Sequence, residues 1–173
     1  RGAWIAPANM AVRDVVALEF DHGRGDLEAL YGAGFNLIAR EPAGFTLVGA
    51  DTLSREGLVR PLSVRRLLIL IRKLALREGQ EVVFAPNDEA LRRRIRRRFE
   101  SVFSQLFVRG AFAGRTPDEA FRVATVDPSG IAASADLGRV VVELCVAPSR
   151  PLEFIRVRLV QTERGGVRLA EGP

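Results

Sequence analysis

The sequence predicts an α+β fold in which a mixed β-sheet packs with two long helices and is followed by an extended tail. Three observations carry that prediction. Leu91, Ile95, Phe99, Val102 and Leu106 recur at intervals of four, four, three and four, the spacing that places side chains on one helical face. Residues 63–78, SVRRLLILIRKLALRE, form a second helical run, apolar around so much of its circumference that it is expected to be largely buried. Against these helices stand short β-rich runs, and in one of them Ile155, Val157 and Leu159 alternate with Arg156 and Arg158, the period of a half-buried strand.

Taken in chain order, VRDVVALEF over 12–20 reads as a strand, followed by the polar loop DHGRGD and a short helix that stops at the glycines of LEALYGAG. FNLIARE and FTLVGA read as two strands joined by Pro42-Ala43-Gly44, which has the composition of a hairpin turn. Ser63 is the expected N-cap of the first long helix and Gly79 its end. A strand over 81–85 then leads into the second long helix, capped by Asn87, with Asp88 and Glu89 complementing the positive end of its dipole. Thr116-Pro117-Asp118-Glu119 has the composition of a helix start. FRVATVD and GRVVVELCVAP read as strands, with Val140, Val142, Leu144 and Val146 on one face of the latter. The tail TERGGVRLAEGP is too polar and glycine-rich to pack by itself.

A length of 173 residues suits one full hydrophobic core with appendages. The formal net charge of +5 is carried almost wholly by arginine, since Lys73 is the only lysine, and arginine suits bidentate contacts with carboxylates and phosphates. Cys145 lies in an apolar run and reads as a buried, reduced thiol. No apolar stretch has the length of a membrane span, and the first ten residues lack the apolar core of a signal peptide. A chain that opens on Arg1 is expected to be part of a longer polypeptide, with its N-terminal part upstream.

Signs of catalysis are missing. The single histidine, His22, sits in a polar loop and reads as solvated rather than as a base. One His and one Cys do not make a zinc site, and no cofactor is expected. The glycines of YGAGFN close a helix and precede a strand, the reverse of the strand-glycine-helix order that cradles phosphates. Arg24-Gly25-Asp26 reads as a turn.

The conspicuous feature is the second long helix, with arginine at 92–94 and 96–98 around its apolar stripe. A nucleic acid, a membrane surface, an acidic protein and plain solvation are all candidate environments. Base contact would want interleaved aromatic or polar residues, and a membrane helix would want apolar residues free to insert. Here the apolar face is expected in a core.

Several strings taken in order, WIAPA, GFNLIAR, GADTLS, SVRRLLILIRKLAL, VVFAPNDEALRRRIRRRFESVFSQLFVRGAFAG, TPDEAFRV and DLGRVVVELCVAPSRPLEFIRVRL, resemble the C-terminal domain of contractile tail sheath proteins. Such sheaths belong to contractile phage tails, R-type bacteriocins and extracellular contractile injection systems. The resemblance spans roughly residues 2 to 160 and includes Trp4, Asn36, Gly49, Thr52, Arg65, Arg66, Pro86, Asn87, Asp88, Gly110, Pro117, Phe121, Pro148 and Phe154. The chain departs from the pattern at Val48, Arg92 and Phe107, where an aromatic is common, and at Ala85, where Glu is common.

The resemblance implies a non-enzymatic, homo-oligomeric subunit that polymerises around an inner tube, contracts, and drives the tube through a target envelope. The implied partners are further copies of itself, the inner tube protein, and baseplate and terminal cap proteins, with no nucleic acid and no membrane insertion. Assembly in the cytoplasm and incorporation into a virion or phage tail-like particle follow. On this expectation residues 1–160 are the core domain and 161–173 an arm. Phe154, Ile155, Val157 and Leu159 then serve strand exchange between subunits, while Arg93, Arg94, Arg96 and Arg97 meet acidic side chains on the tube. The runner-up reading is an arginine-rich nucleic-acid-binding module.

Overall fold

The computed structural model describes residues 2–82, 85, 88–126, 140–148, 153–161 and 167–172. The chain divides into two compact units, 1–66 and 67–173. The α+β class holds. The strands, however, form two separate antiparallel sheets rather than one mixed sheet.

In the first unit β1 (Ala11–Val12), β2 (Leu37–Glu41) and β3 (Gly44–Val48) make a sheet of order β1-β3-β2. The hairpin β2-β3 turns through Pro42-Ala43, with Gly44 at φ +130°. The strand expected over 12–20 ends at Val12. Asp14 adopts φ +61°, which takes the backbone out of the extended region, and Val16 beyond it is 94% exposed. Helix α1 (Arg24–Gly32) starts earlier than the sequence suggested, so Arg24-Gly25-Asp26 is its first turn rather than a loop. It stops at Gly34, whose φ of +95° suits the left-handed end of a helix, and Gly34 N–H donates to the Tyr31 carbonyl. The loop 49–61 is closed by backbone bonds from Thr52 to Arg60 and from Leu62 to Ala50, and by the Asp51–Arg60 ion pair.

Helix α2 (Leu62–Glu81) opens one residue before Ser63, which is therefore inside the helix and not its cap. The first intrahelical bond runs from Arg65 N–H to the Pro61 carbonyl. The helix also runs through Gly79, although glycine costs about 1 kcal/mol in a helix. Gly79 is buried with Val82 against Ile95 and Phe99, so tertiary packing outweighs propensity. Glu81 and Val82 accordingly form no strand, Ala85 lies in a bend, and the rest of the expected 81–85 strand lies outside the described residues.

The second unit is built on helix α3 (Glu89–Val108), the short α4 (Pro117–Ala120), β4 (Phe121–Val126), β5 (Val141–Val146), β6 (Ile155–Gln161) and β7 (Val167–Gly172). The four strands pair in the order β4-β5-β6-β7. Their inner face is closed by Val142, Leu144, Val146, Ile155, Val157 and Leu159, all buried, with Val140 beside them. Phe103 of α3 sits among Phe99, Phe112 and Phe121, with ring centroids 5.6–6.2 Å apart in edge-to-face geometry, and fastens the helix to the sheet. Cys145 points to the opposite face, between Arg122 and Arg156 in register, and is half-exposed instead of buried because alternation puts it out of phase with Leu144 and Val146.

Candidate assembly surface

Helix α3 is held in place from its N-terminus. Asp88, in extended conformation, is the cap; its Oδ1 accepts from Leu91 N–H at 2.7 Å. Asn87, the cap expected from sequence, lies outside the described residues. The buried stripe is Leu91, Ile95, Phe99, Phe103 and Leu106. Phe103 continues the four-residue step from Phe99 and displaces Val102, which is only half-buried.

With that stripe facing the core, Arg93, Arg94, Arg96 and Arg97 are all exposed, as their spacing predicts. They are not equivalent. Arg93 pairs with Glu89 one turn back, and Arg96 with Glu100 one turn on, at 2.8 Å. Arg94 and Arg97 make no ion pair with any described residue. Together with Ala85, Asp88, Ala90 and Leu91 they line a cleft of about 360 Å³. The i,i+4 carboxylates that occupy Arg93 and Arg96 were legible in the sequence, so the distinction had a signal. Arg98 Nε donates to Glu78 at 3.1 Å, a pairing between helices that no local pattern announces. Glu78 is buried and also faces Arg77.

The other candidate set lies on β6. Ile155, Val157 and Leu159 are buried on the inner face of the sheet, and Phe154 is half-buried beneath the Arg122 guanidinium, 4.7 Å from the ring centroid. Both edges of β6 are occupied, by β5 and by β7. The tail expected to lack a core of its own thus supplies β7, and the sheet edges are β4 and β7. His22 is an exposed loop residue stacked on Phe20. Among the described residues no group of three or more His, Cys, Asp or Glu could hold a metal ion, and no helix is long and apolar enough to cross a membrane.

No family model and no curated protein matches the sequence. Solved structures do match. A chain of the anti-feeding prophage baseplate is similar over 89% of this chain and 44% of its own length, with 27% identity and a TM-score of 0.78. A chain of the PVC sheath complex, an extracellular contractile injection system in the contracted state, is 29% identical over the same shares, with a TM-score of 0.77. The helical sheath of the anti-feeding prophage in the contracted state gives 27% and 0.76. Over most of its length this chain is similar to contractile sheath proteins. A sheath tail protein from Desulfitobacterium hafniense shares the fold at 15% identity, with a TM-score of 0.70. The chain spans less than half the length of the first three of these similar chains.

Proposed function

We propose that this chain is part of a structural subunit of a contractile sheath, which polymerises around an inner tube and shortens to drive the tube through a target envelope. The carrying observation is the likeness to sheath assemblies over 89% of the chain at 27–29% identity. The subunit works by packing and association rather than by catalysis. Its partners are other copies, the inner tube, the baseplate and a terminal cap, and it assembles in the cytoplasm before becoming part of a phage tail-like particle.

Two surfaces serve that role in this reading. Arg94 and Arg97, which pair with no described carboxylate, grip acidic side chains of the tube, with Arg93 and Arg96 adding charge at the margin. Each such exposed contact is worth only about 0 to 1 kcal/mol, but repetition along the tube gives a firm hold that is lost collectively when subunits move outward. Strand exchange takes place at β6, where Phe154, Ile155, Val157 and Leu159 anchor an acceptor strand and a neighbour's tail replaces β7. Sedimentation of the purified subunit tests the reading: large assemblies free of nucleic acid are expected, whereas a monomer that carries bound nucleic acid would support the arginine-rich binding module instead.

A further inference from the structure

Residues 13–23 present a conflict between sequence and structure. VRDVVALEF has the composition of a strand, yet among the described residues 14–22 make no backbone–backbone hydrogen bond. Val16 is 94% exposed and Phe20 67%. Large apolar side chains exposed on a segment outside any helix or strand are the mark of a surface completed by a partner. The segment is also acidic: it holds Asp14, Glu19 and Asp21, and Asp26 and Glu28 follow in α1, together five of the eight carboxylates in residues 1–66. None of the five takes part in an ion pair with a described residue.

The opposite chemistry is found on α2. Its exposed face carries Arg72 and Lys73, neither paired with a described carboxylate, around Ile69, which is 42% exposed. Cations around a wet isoleucine and anions around a wet valine and phenylalanine are complementary in both charge and polarity. We infer that residues 14–21 of one copy lie on the exposed face of α2 in a second copy, with Glu19 and Asp21 meeting Arg72 and Lys73 while Val16 and Phe20 cover Ile69. The inference rests on the self-association proposed above.

Such a contact has a geometric consequence. The strap and the receiving helix are different parts of the chain, so the contact can repeat head-to-tail from copy to copy into a ring or a helix, as the self-association proposed above requires. It uses α2, leaving Arg94 and Arg97 of α3 for the tube.

Lys73 is the only lysine in this chain, so carbodiimide-coupled peptides that contain it are recognised by their mass. In assemblies of the whole subunit mixed from light and heavy-isotope copies, Lys73 should couple to Glu19 or Asp21 of the other copy. Coupling of Lys73 solely to other carboxylates, or to a different protein, overturns the inference. Charge exchange gives a second reading. E19K/D21K and R72E/K73E should each reduce assembly by about tenfold or more, and the combined variant should recover it. All of these positions are exposed, so circular dichroism of each variant should match the parent. If the parent polymerises and the single exchanges polymerise equally well, this interface is wrong while self-association stands. If the parent never polymerises, both fall together.

Discussion

In residues 67–173 the apolar side chains are enclosed: the inner face of β4-β5-β6-β7 and the stripe of α3 meet around Phe103, which has no exposed surface. Among the described residues of 1–66 only Ala39 and Val64 are buried apolar residues, while Val16, Phe20, Phe35 and Leu53 are more than half exposed. Leu53, at 95% exposure, is held out on a loop braced by Thr52 and Ser54 hydroxyls. One unit therefore carries its own core, and the other leaves most of its large apolar side chains exposed. A polymer subunit needs both properties, a rigid body to transmit force and an adhesive region that is satisfied only in the assembly.

The sharpest way to break this comparison is to cut into both units equally. Phe103→Ala should destabilise the second unit by about 3 to 5 kcal/mol, because it removes a ring that touches three others. Leu53→Ser and Val16→Ser should change the stability of the isolated chain by no more than about 0.5 kcal/mol. Chemical denaturation checks all three, and a large loss at Leu53 or Val16 would show that the first unit has a core after all.

A smaller effect concerns the tail. Removing residues 152–173 would delete β6, whose Ile155, Val157 and Leu159 are core, so it would test folding rather than exchange. Removing 162–173 takes only β7 and its connection. If tails are exchanged, each lost strand forfeits a handful of backbone hydrogen bonds at about 0.5 to 1.5 kcal/mol apiece, and polymers should not form. Sedimentation after size selection checks this, and normal polymers would confine β7 to its own sheet.

At about 1 kcal/mol, Asp88→Ala should weaken α3 by loss of its cap, whereas Asp88→Asn, which keeps the accepting oxygen, should cost much less. Thermal unfolding distinguishes them. Smaller still per residue is the arginine surface. Arg94→Glu with Arg97→Glu should weaken tube binding more than Arg93→Glu with Arg96→Glu, because the second pair already has carboxylate partners, and higher salt should narrow the gap. Pull-down on isolated tubes measures both; equal effects would return the face to simple solvation.

Much of this was legible before any coordinates. The four-residue steps from Leu91 to Phe99 dictate α3, and the alternation through Val140–Val146 and Ile155–Leu159 dictates which faces of β5 and β6 are buried. What escaped is long-range or one residue wide. Strand pairing joins Phe121 to Val146 and Ile155, and nothing local says that this sheet excludes the Leu37–Val48 hairpin. Asp88 and Asn87 are chemically interchangeable caps, and Val102 and Phe103 both fit a stripe of intervals three and four. The run from Val12 to Phe20 has strand composition, but a strand also needs an edge to pair with. For the candidate surface, the exposure of the arginines and the i,i+4 partners of Arg93 and Arg96 could be read directly. The Arg98–Glu78 pair, twenty residues apart, could not.

The central claim, that this chain belongs to a subunit that builds a sheath, is tested most directly by negative-stain microscopy of the purified whole subunit. The account predicts hollow tubes or stacked rings of regular diameter. A field of single, unassociated particles at every concentration and salt tried would contradict it.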